Sequence, residues 1–333
     1  MKVLILGGAG FIGSVLCEYL KSRGDEVTVY DNLLYEKGTK IDAGCNFIHA
    51  DVTNINDLLP AIDCHEAIVN LAAISNDPAS DLAPSLTWEI NYRANETIAN
   101  LCRSTDKRVV YASSCSVYGF SSRGIFNELD KPNPVSLYAR TKMLSEKFYL
   151  DSDVNGIILR LATVYGYSKK PRFDLVVNTM IGNSFFEKKI VVNGGEQWRP
   201  VVHVRDVASA IYLALHIKSP KHRVFNVGSN DQNFKISQLG VKIAEYLPKV
   251  EFVQLYDNVD KRSYLVDFSR IKSELKFKCR FTIKDAISEL YKSFENGEIQ
   301  DLGDDEYFRV KYLRNHINRP NYRKRVMIER LVL

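Results

Sequence analysis

The sequence predicts an α/β chain, a doubly wound parallel sheet followed by a smaller C-terminal α/β lobe. Three observations carry this. A short β-rich run, Lys2–Leu6, ends in Gly7-Gly8-Ala9-Gly10-Phe11-Ile12-Gly13 and leads into a helical pattern. Apolar runs without polar alternation then recur between helix-length segments, as in a parallel sheet covered on both faces. At 333 residues the chain is longer than one core usually carries, and its rhythm loosens after Gly166.

The elements follow in order. Val15, Leu16, Tyr19 and Leu20 line one face of the first helix, which Arg23-Gly24 closes. Glu26–Tyr30, Asn46–His49, Ala67–Leu71, Val109–Ala112 and Gly156–Leu159 read as strands, with helices between them, notably Trp88–Arg103 and Tyr138–Asp151. Later, Leu175–Phe186, Val207–His216, Ser237–Tyr246 and Ile283–Phe294 read as helices and Val224–Val227 as a strand. The sheet domain is therefore placed at 1–166 with about 200–227, and the lobe at about 167–199 and 228–308.

Apolar residues make up 45% and charged residues 26%, which excludes a disordered or collagen-like chain. The net charge of +5 is misleading. Residues 309–333 hold eight Lys/Arg and one Glu, a balance of +7, so the other 308 residues sum to −2. This basic tail lacks the basic–aromatic interleaving of a nucleic-acid platform, and Tyr312 and Leu313 within it suggest packing. No nucleic-acid partner is expected. Six cysteines without a C-x-x-C pair point to reduced thiols in a cytoplasmic protein, with no metal site. No apolar run is long enough for a membrane span.

The glycine loop is a phosphate cradle. Gly7 permits the tight turn, Gly10 lets backbone N–H groups approach a pyrophosphate, and Gly13 lets the helix pack closely; Phe11 and Ile12 complete the loop. Asp31, followed by Asn32, ends the second strand about 20 residues on, where a carboxylate accepts from a ribose 2′-OH and repels a 2′-phosphate. This is a Rossmann fingerprint that favours NAD. Asp51 and Val52 would lie over the adenine, and Leu71, Ala72 and Ala73 beside the cofactor's middle.

Tyr138 and Lys142 are four residues apart at the start of a helix, so phenol and ammonium share a face. The lysine and an oxidised nicotinamide would lower the phenol's pKa and make it a base. Ser114, leaving the fifth strand at its C-terminal end, would hydrogen-bond the same substrate oxygen.

With these residues in view, the chain resembles the extended short-chain dehydrogenase/reductases that act on nucleotide sugars. GGAGFIGS (7–14), YDNL (30–33), NLAA (70–73), SSCSVYG (113–119) and YARTK (138–142) carry the cofactor half of the likeness. LRLATVYG (159–166), NGGEQWRPVVHVRDVA (193–208) and FNVGS (225–229) carry the sugar-nucleotide half. The resemblance implies that Ser114, Tyr138 and Lys142 are catalytic, that Asn91 opens the helix beneath the cofactor, and that Thr163 meets the sugar or its phosphate. It implies diphosphate clamps at Arg199 and Arg262, sugar or diphosphate contacts at Arg172 and Asn178, and a homodimer built on the two long helices. Asp206 reads as a helix N-cap and His203 as part of the strand–helix junction.

Relatives that dehydrate the sugar carry Asp-Glu after the catalytic Ser/Thr, where this chain has Cys115 and Ser116. The double epimerase–reductases use a Cys two places after the serine, here Ser116, plus a His that this chain lacks after Gly166. What remains is oxidation at C4 of a nucleoside-diphosphate sugar and return of the hydride: an NAD-dependent epimerase first, a 4-dehydrogenase second, a non-catalytic NAD sensor third.

Overall fold

The computed structural model describes residues 1–35, 44–151, 153–247, 249–256 and 262–316. Its strands are β1 (Lys2–Leu6), β2 (Glu26–Asp31), β3 (Asn46–His49), β4 (Ala67–Asn70), β5 (Arg108–Ser114), β6 (Phe120–Phe126), β7 (Gly156–Leu161), β8 (Thr163–Tyr165), β9 (Lys189–Asn193), β10 (Trp198–His203), β11 (Val224–Val227), β12 (Asn233–Lys235), β13 (Glu251–Leu255) and β14 (Ser263–Val266). Seven of them form one parallel sheet in the order β3-β2-β1-β4-β5-β7-β11. Leu6 pairs with Tyr30 on one side and Asn70 on the other, so the strand order reverses across β1. Beyond the C-terminal ends at such a reversal lies the crevice where open α/β sheets take ligands.

The continuous apolar runs follow from burial on both faces. Val3 and Ile5 point into one apolar cluster and Leu4 and Leu6 into the other, all four fully buried. The side-chain period of two sends alternate residues to opposite faces, and each face is roofed by helices. β14 and the helix Ser269–Glu274 add Tyr264, Val266 and Ile271 to the first cluster despite their distance in sequence. A third cluster, from Tyr165 and Phe173 to Phe294 and Ile299, gathers the later helices with β9 and β10. Of the smaller pairings, β14-β6 ties a late strand to the first half of the chain, while β12-β10-β8 and β13-β9 join later segments to one another.

Two local expectations change. The helix expected over Trp88–Arg103 starts earlier, at Pro84, and widens into a π turn over Glu89–Arg93 before continuing through Ala94–Cys102. There the carbonyl of Asn91 accepts from Asn95 Nδ2 at 2.8 Å and Ser145 Oγ at 2.7 Å, side-chain donors competing with the regular ladder. Asn91 therefore lies within a helical run and does not open one. Asp206 is not an N-cap either. His203 caps the helix Val204–His216, accepting from Arg205 N, while Asp206 accepts from the N–H groups of Arg280 and Phe281.

The first third of the basic tail is folded. Arg309–His316 is a helix whose Leu313 is fully buried in the second cluster, in line with the packing expected of Tyr312 and Leu313. Residues 317–333 lie outside the described residues. Among the described residues, no helix is long and apolar enough to cross a membrane.

Candidate functional site

The loops at the C-terminal ends of β1, β2, β4, β5 and β8 enclose a cleft of about 590 Å³. At one end is the glycine turn. Gly7 has φ +77°, and a Cβ there would sit 2.7 Å from the backbone N of Ala72; on Gly13 it would sit 2.4 Å from the carbonyl oxygen of Gly8. Gly13 thus serves close packing of the helix on the loop itself. A Cβ on Gly10 would meet little, which leaves the backbone open to the cleft. Gly10 also begins the helix Phe11–Ser22 without a side-chain cap, so the helix's first N–H groups lack the usual oxygen acceptor. Uncapped donors at a positive helix end, walled by glycine, fit a pyrophosphate.

Asp31 lines the same cleft. Its carboxylate accepts from Ala9 N at 3.0 Å and Leu33 N at 2.8 Å, which aims it along the glycine loop. Burial raises its pKa, and these N–H groups work against the rise. Asn32, Val52, Leu71, Ala72 and Ala73 also line the cleft. Asp51 stands behind them, accepting from Asn32 Nδ2 at 2.6 Å and from Thr53. Asn91 too lies behind the wall: it accepts from Ile74 N at 2.8 Å and donates to Ile74 O at 3.0 Å, fixing the loop after β4.

Ser114 and Tyr138 face the cleft together. Ser114 ends β5 and accepts from Ser116 N, which holds its hydroxyl at the strand tip. Ser136 caps the helix Leu137–Leu150, placing Tyr138 in its first turn and Lys142 one turn on. Lys142 is only 3% exposed and lies behind the cleft wall. Its Nζ donates to Ala112 O at 2.7 Å and lies 5.9 Å from the Tyr138 ring centre.

The charges do not follow the simple expectation. Burial and the Asp77 carboxylate push the Tyr138 phenol above its ordinary range, against the pull of Arg172 and a hydrogen bond with Ser114. Burial also lowers Lys142 to about 7, with Glu146 opposing. The chain alone therefore holds the phenol protonated.

At the other end the predicted arginines converge. Arg199 donates to the backbone carbonyls of Trp198 and Arg262, and its guanidinium lies 5.3 Å from the Tyr264 ring centre. Arg262 pairs with Asp77, which also accepts from Ser136 Oγ. Arg172 grips Asp174 through two nitrogens at 2.8 and 2.9 Å and donates to Ser75 Oγ. Burial opposes the charge on Asp174, but Arg172 outweighs it and holds the carboxyl below its ordinary value. Thr163 lines the cleft, whereas Asn178 is fully buried and spent on the backbone of Gly166 and Arg172.

Sequence reading missed several groups. Glu146 accepts from Ser113 Oγ at 2.6 Å and from Arg160 at 2.7 and 2.9 Å, and Arg160 donates to Tyr118, a buried network behind Ser114 and Lys142. The i,i+4,i+8 spacing of Tyr138, Lys142 and Glu146 was its available signal. Asp77, Asp174 and Ser116 line the cleft, and Ser116 Oγ is buried with no hydrogen-bond partner among the described residues. Nothing in local sequence distinguishes these from loop polar residues.

Comparisons with known proteins give the family and the fold. The sequence model of the NAD dependent epimerase/dehydratase family matches residues 3–228. The CDP-paratose 2-epimerase of Salmonella typhi is 24% identical over 332 residues, covering 87% of this chain and 98% of that protein. A solved structure of MoeE5 in complex with UDP-glucuronic acid and NAD is 26% identical, with a TM-score of 0.77, and covers 89% of this chain and 100% of that one. The UDP-glucose 4-epimerase of Thermus thermophilus in complex with NAD is 26% identical, with a TM-score of 0.76, and covers 89% of this chain and 99% of that one.

Proposed function

The chain belongs to the NAD dependent epimerase/dehydratase family, and from that premise we propose that it inverts C4 of a nucleoside-diphosphate sugar through a 4-keto intermediate. Bound NAD would supply a reversible hydride acceptor. Tyr138 accepts the proton of the C4 hydroxyl as the C4 hydride departs, Ser114 holds the same oxygen, and Tyr138 returns the proton once the ketone has presented its other face. Arg199 and Arg262 hold the diphosphate, for which forked guanidiniums are suited.

The observation that carries this reading is the single cleft. It joins the glycine cradle, the Ser114–Tyr138 pair and the arginine end, so cofactor, hydroxyl and diphosphate would meet in one space. Burial and Asp77 hold the Tyr138 phenol protonated in the chain itself, and the positive charge of an oxidised nicotinamide bound beside it would favour its deprotonation. Against dehydration, Cys115 is 1% exposed and its thiol is pushed far up by burial, so it shuttles no proton. The Ser116 hydroxyl is buried and is no carboxylic acid, so neither residue supplies the acid–base pair that dehydration needs. The two helical runs Pro84–Cys102 and Leu137–Leu150 pack side by side on one face, the surface on which a second copy would form a homodimer.

The test is incubation with UDP-, CDP-, GDP- and dTDP-sugars, following sugar isomers and NADH together. A C4 epimer without net NADH is expected. Stoichiometric NADH with a released ketone would make the enzyme a 4-dehydrogenase, and cofactor binding without turnover on any of them would favour a sensor. Tyr138→Phe is expected to slow turnover by about 10²–10⁴ while NAD stays bound.

A further inference from the structure

Lys142 brings an ammonium into a dry site where its surroundings are of two kinds. Its Nζ donates to the carbonyl of Ala112 at 2.7 Å, and the residue is almost wholly buried. The carboxylate that favours its charge is Glu146, one helical turn on. That carboxylate is already engaged: Arg160 grips it through two nitrogens, at 2.7 and 2.9 Å, and Ser113 Oγ donates to it at 2.6 Å. What the ammonium meets directly, besides the Ala112 carbonyl, is an aromatic face. Nζ lies 4.8 Å over the centre of the Tyr111 ring, nearer than the 5.9 Å to the Tyr138 ring. Tyr111 belongs to β5, is fully buried, and stacks on Tyr149 with 4.7 Å between centres and planes 24° apart. Tyr149 and Lys142 share the helix Leu137–Leu150, so strand and helix fix ring and ammonium together.

A charge taken out of water needs opposing charge or dipoles around it. Burial drives this lysine toward the neutral amine. The face of an aromatic ring carries the negative side of its quadrupole, and its attraction for a cation grows where water is excluded. The titratable groups facing Lys142 are Tyr138 and Glu146 from its own helix and Tyr111 from β5, with Arg160 of β7 drawing on the charge of Glu146. The Tyr111 face takes no part in that ion pair. We propose that Tyr111 is a positioning residue for the proposed reaction, its ring face holding the Lys142 ammonium charged and in place beside Tyr138. The proposal rests on the reading that Lys142 acts with Tyr138. A ring suits this task better than a carboxylate would. It attracts the charge without accepting a directed hydrogen bond, so of the three ammonium N–H groups only the one given to Ala112 is committed, and the others can turn to a bound ligand.

Tyr111→Leu and Tyr111→Phe in the full-length protein, at matched NAD content, test this through the titration of Lys142 itself. Nuclear magnetic resonance of carbon-13-labelled lysine reads that titration without turnover, the Lys142 signal being the one lost in Lys142→Met. An aromatic face over a desolvated ammonium changes its proton affinity by a factor of about ten to thirty. Tyr111→Leu is therefore expected to lower the Lys142 midpoint by about one pH unit, while Tyr111→Phe, which keeps the face, leaves it where the parent has it. The alkaline limb of kcat should fall with the midpoint in the Leu variant and stay in the Phe variant, with KM for the nucleotide sugar unchanged in both. Pentafluorophenylalanine at position 111 keeps the shape of a ring and reverses the charge on its face. It should act as Leu does, and it carries the test if the Leu variant does not fold. An unmoved midpoint with the fluorinated ring overturns the proposal. So does an equal fall in Tyr111→Phe, which would assign the effect to the hydroxyl. A shifted lysine titration without turnover on any nucleotide sugar would leave the role of Tyr111 standing and overturn only the reaction.

Discussion

The two ends of the cleft are built from different materials. The glycine end is backbone: φ +77° at Gly7, no room for a Cβ at Gly13, and an uncapped helix start. The arginine end is side chains already paired: Arg262 with Asp77, Arg172 with Asp174, and Arg199 with two carbonyls. Backbone donors cannot collapse onto an internal partner, so the first end is preorganised and little is displaced when a ligand arrives. At the second, the diphosphate of the proposed substrate would compete with Asp77 and Asp174 for the Arg262 and Arg172 guanidiniums. The first end would therefore suit retention and the second exchange, as the proposed epimerase requires.

Substitutions separate these two designs. The largest effect is expected at Gly13→Ala. The added methyl would overlap Gly8 backbone, which cannot yield as a flexible side chain would. Overpacking of this kind costs about 1–3 kcal/mol, and the displaced loop should lose NAD by tenfold or more, about 1.4 kcal/mol. Cofactor content after purification and the unfolding midpoint measure both; a variant that keeps NAD at the normal level would contradict a steric cradle.

Next is Lys142→Met, read through pH. Lys142 has a folded pKa of about 7 against an ordinary 10.5. Between those values the unfolded chain binds more protons than the folded one, so stability rises with pH across that window. Below it, the folded protein carries the full cost of a buried ammonium. Cofactor-free Lys142→Met should thus unfold at higher temperature than the parent near and below pH 7. The gap should close as pH rises toward 10.5, with turnover lost throughout. A gap independent of pH would show that Lys142 is not buried as a charge.

The smallest expected effect is at Asp77→Asn, which keeps the hydrogen bond with Ser136 and frees Arg262 from its carboxylate. Affinity for a free nucleoside diphosphate should rise by about tenfold or less, in keeping with a partly exposed ion pair. The acid limb of the rate profile should move to lower pH, because Asp77 helps hold the Tyr138 phenol high. Unchanged affinity would mean that Arg262 does not meet the diphosphate.

The same contrast explains what could be read beforehand. β1, the glycine loop and Asp31 lie within one short stretch, and Tyr138 and Lys142 within one helical turn, so spacing alone placed them. Asp77 and Arg262 are 185 residues apart, and Arg172 and Ser75 are 97 apart. Nothing local marks such partners, because each is defined by the side chain the fold sets opposite it. Asn91 and Asn178 show the reverse case. Their residue type suited a ligand contact, but the fold spends both amides on backbone groups.

By itself the sequence determined the doubly wound sheet, the glycine turn that suits NAD and the shared helix face of Tyr138 and Lys142, since periodicity, glycine sterics and helical spacing are short-range rules. Only the tertiary structure decided which charges neutralise one another, that the phenol is held high while the lysine is pushed low, and that Arg309 lines the cleft. Burial and Coulomb interactions depend on distance in space, and the chain fixes that distance only by folding.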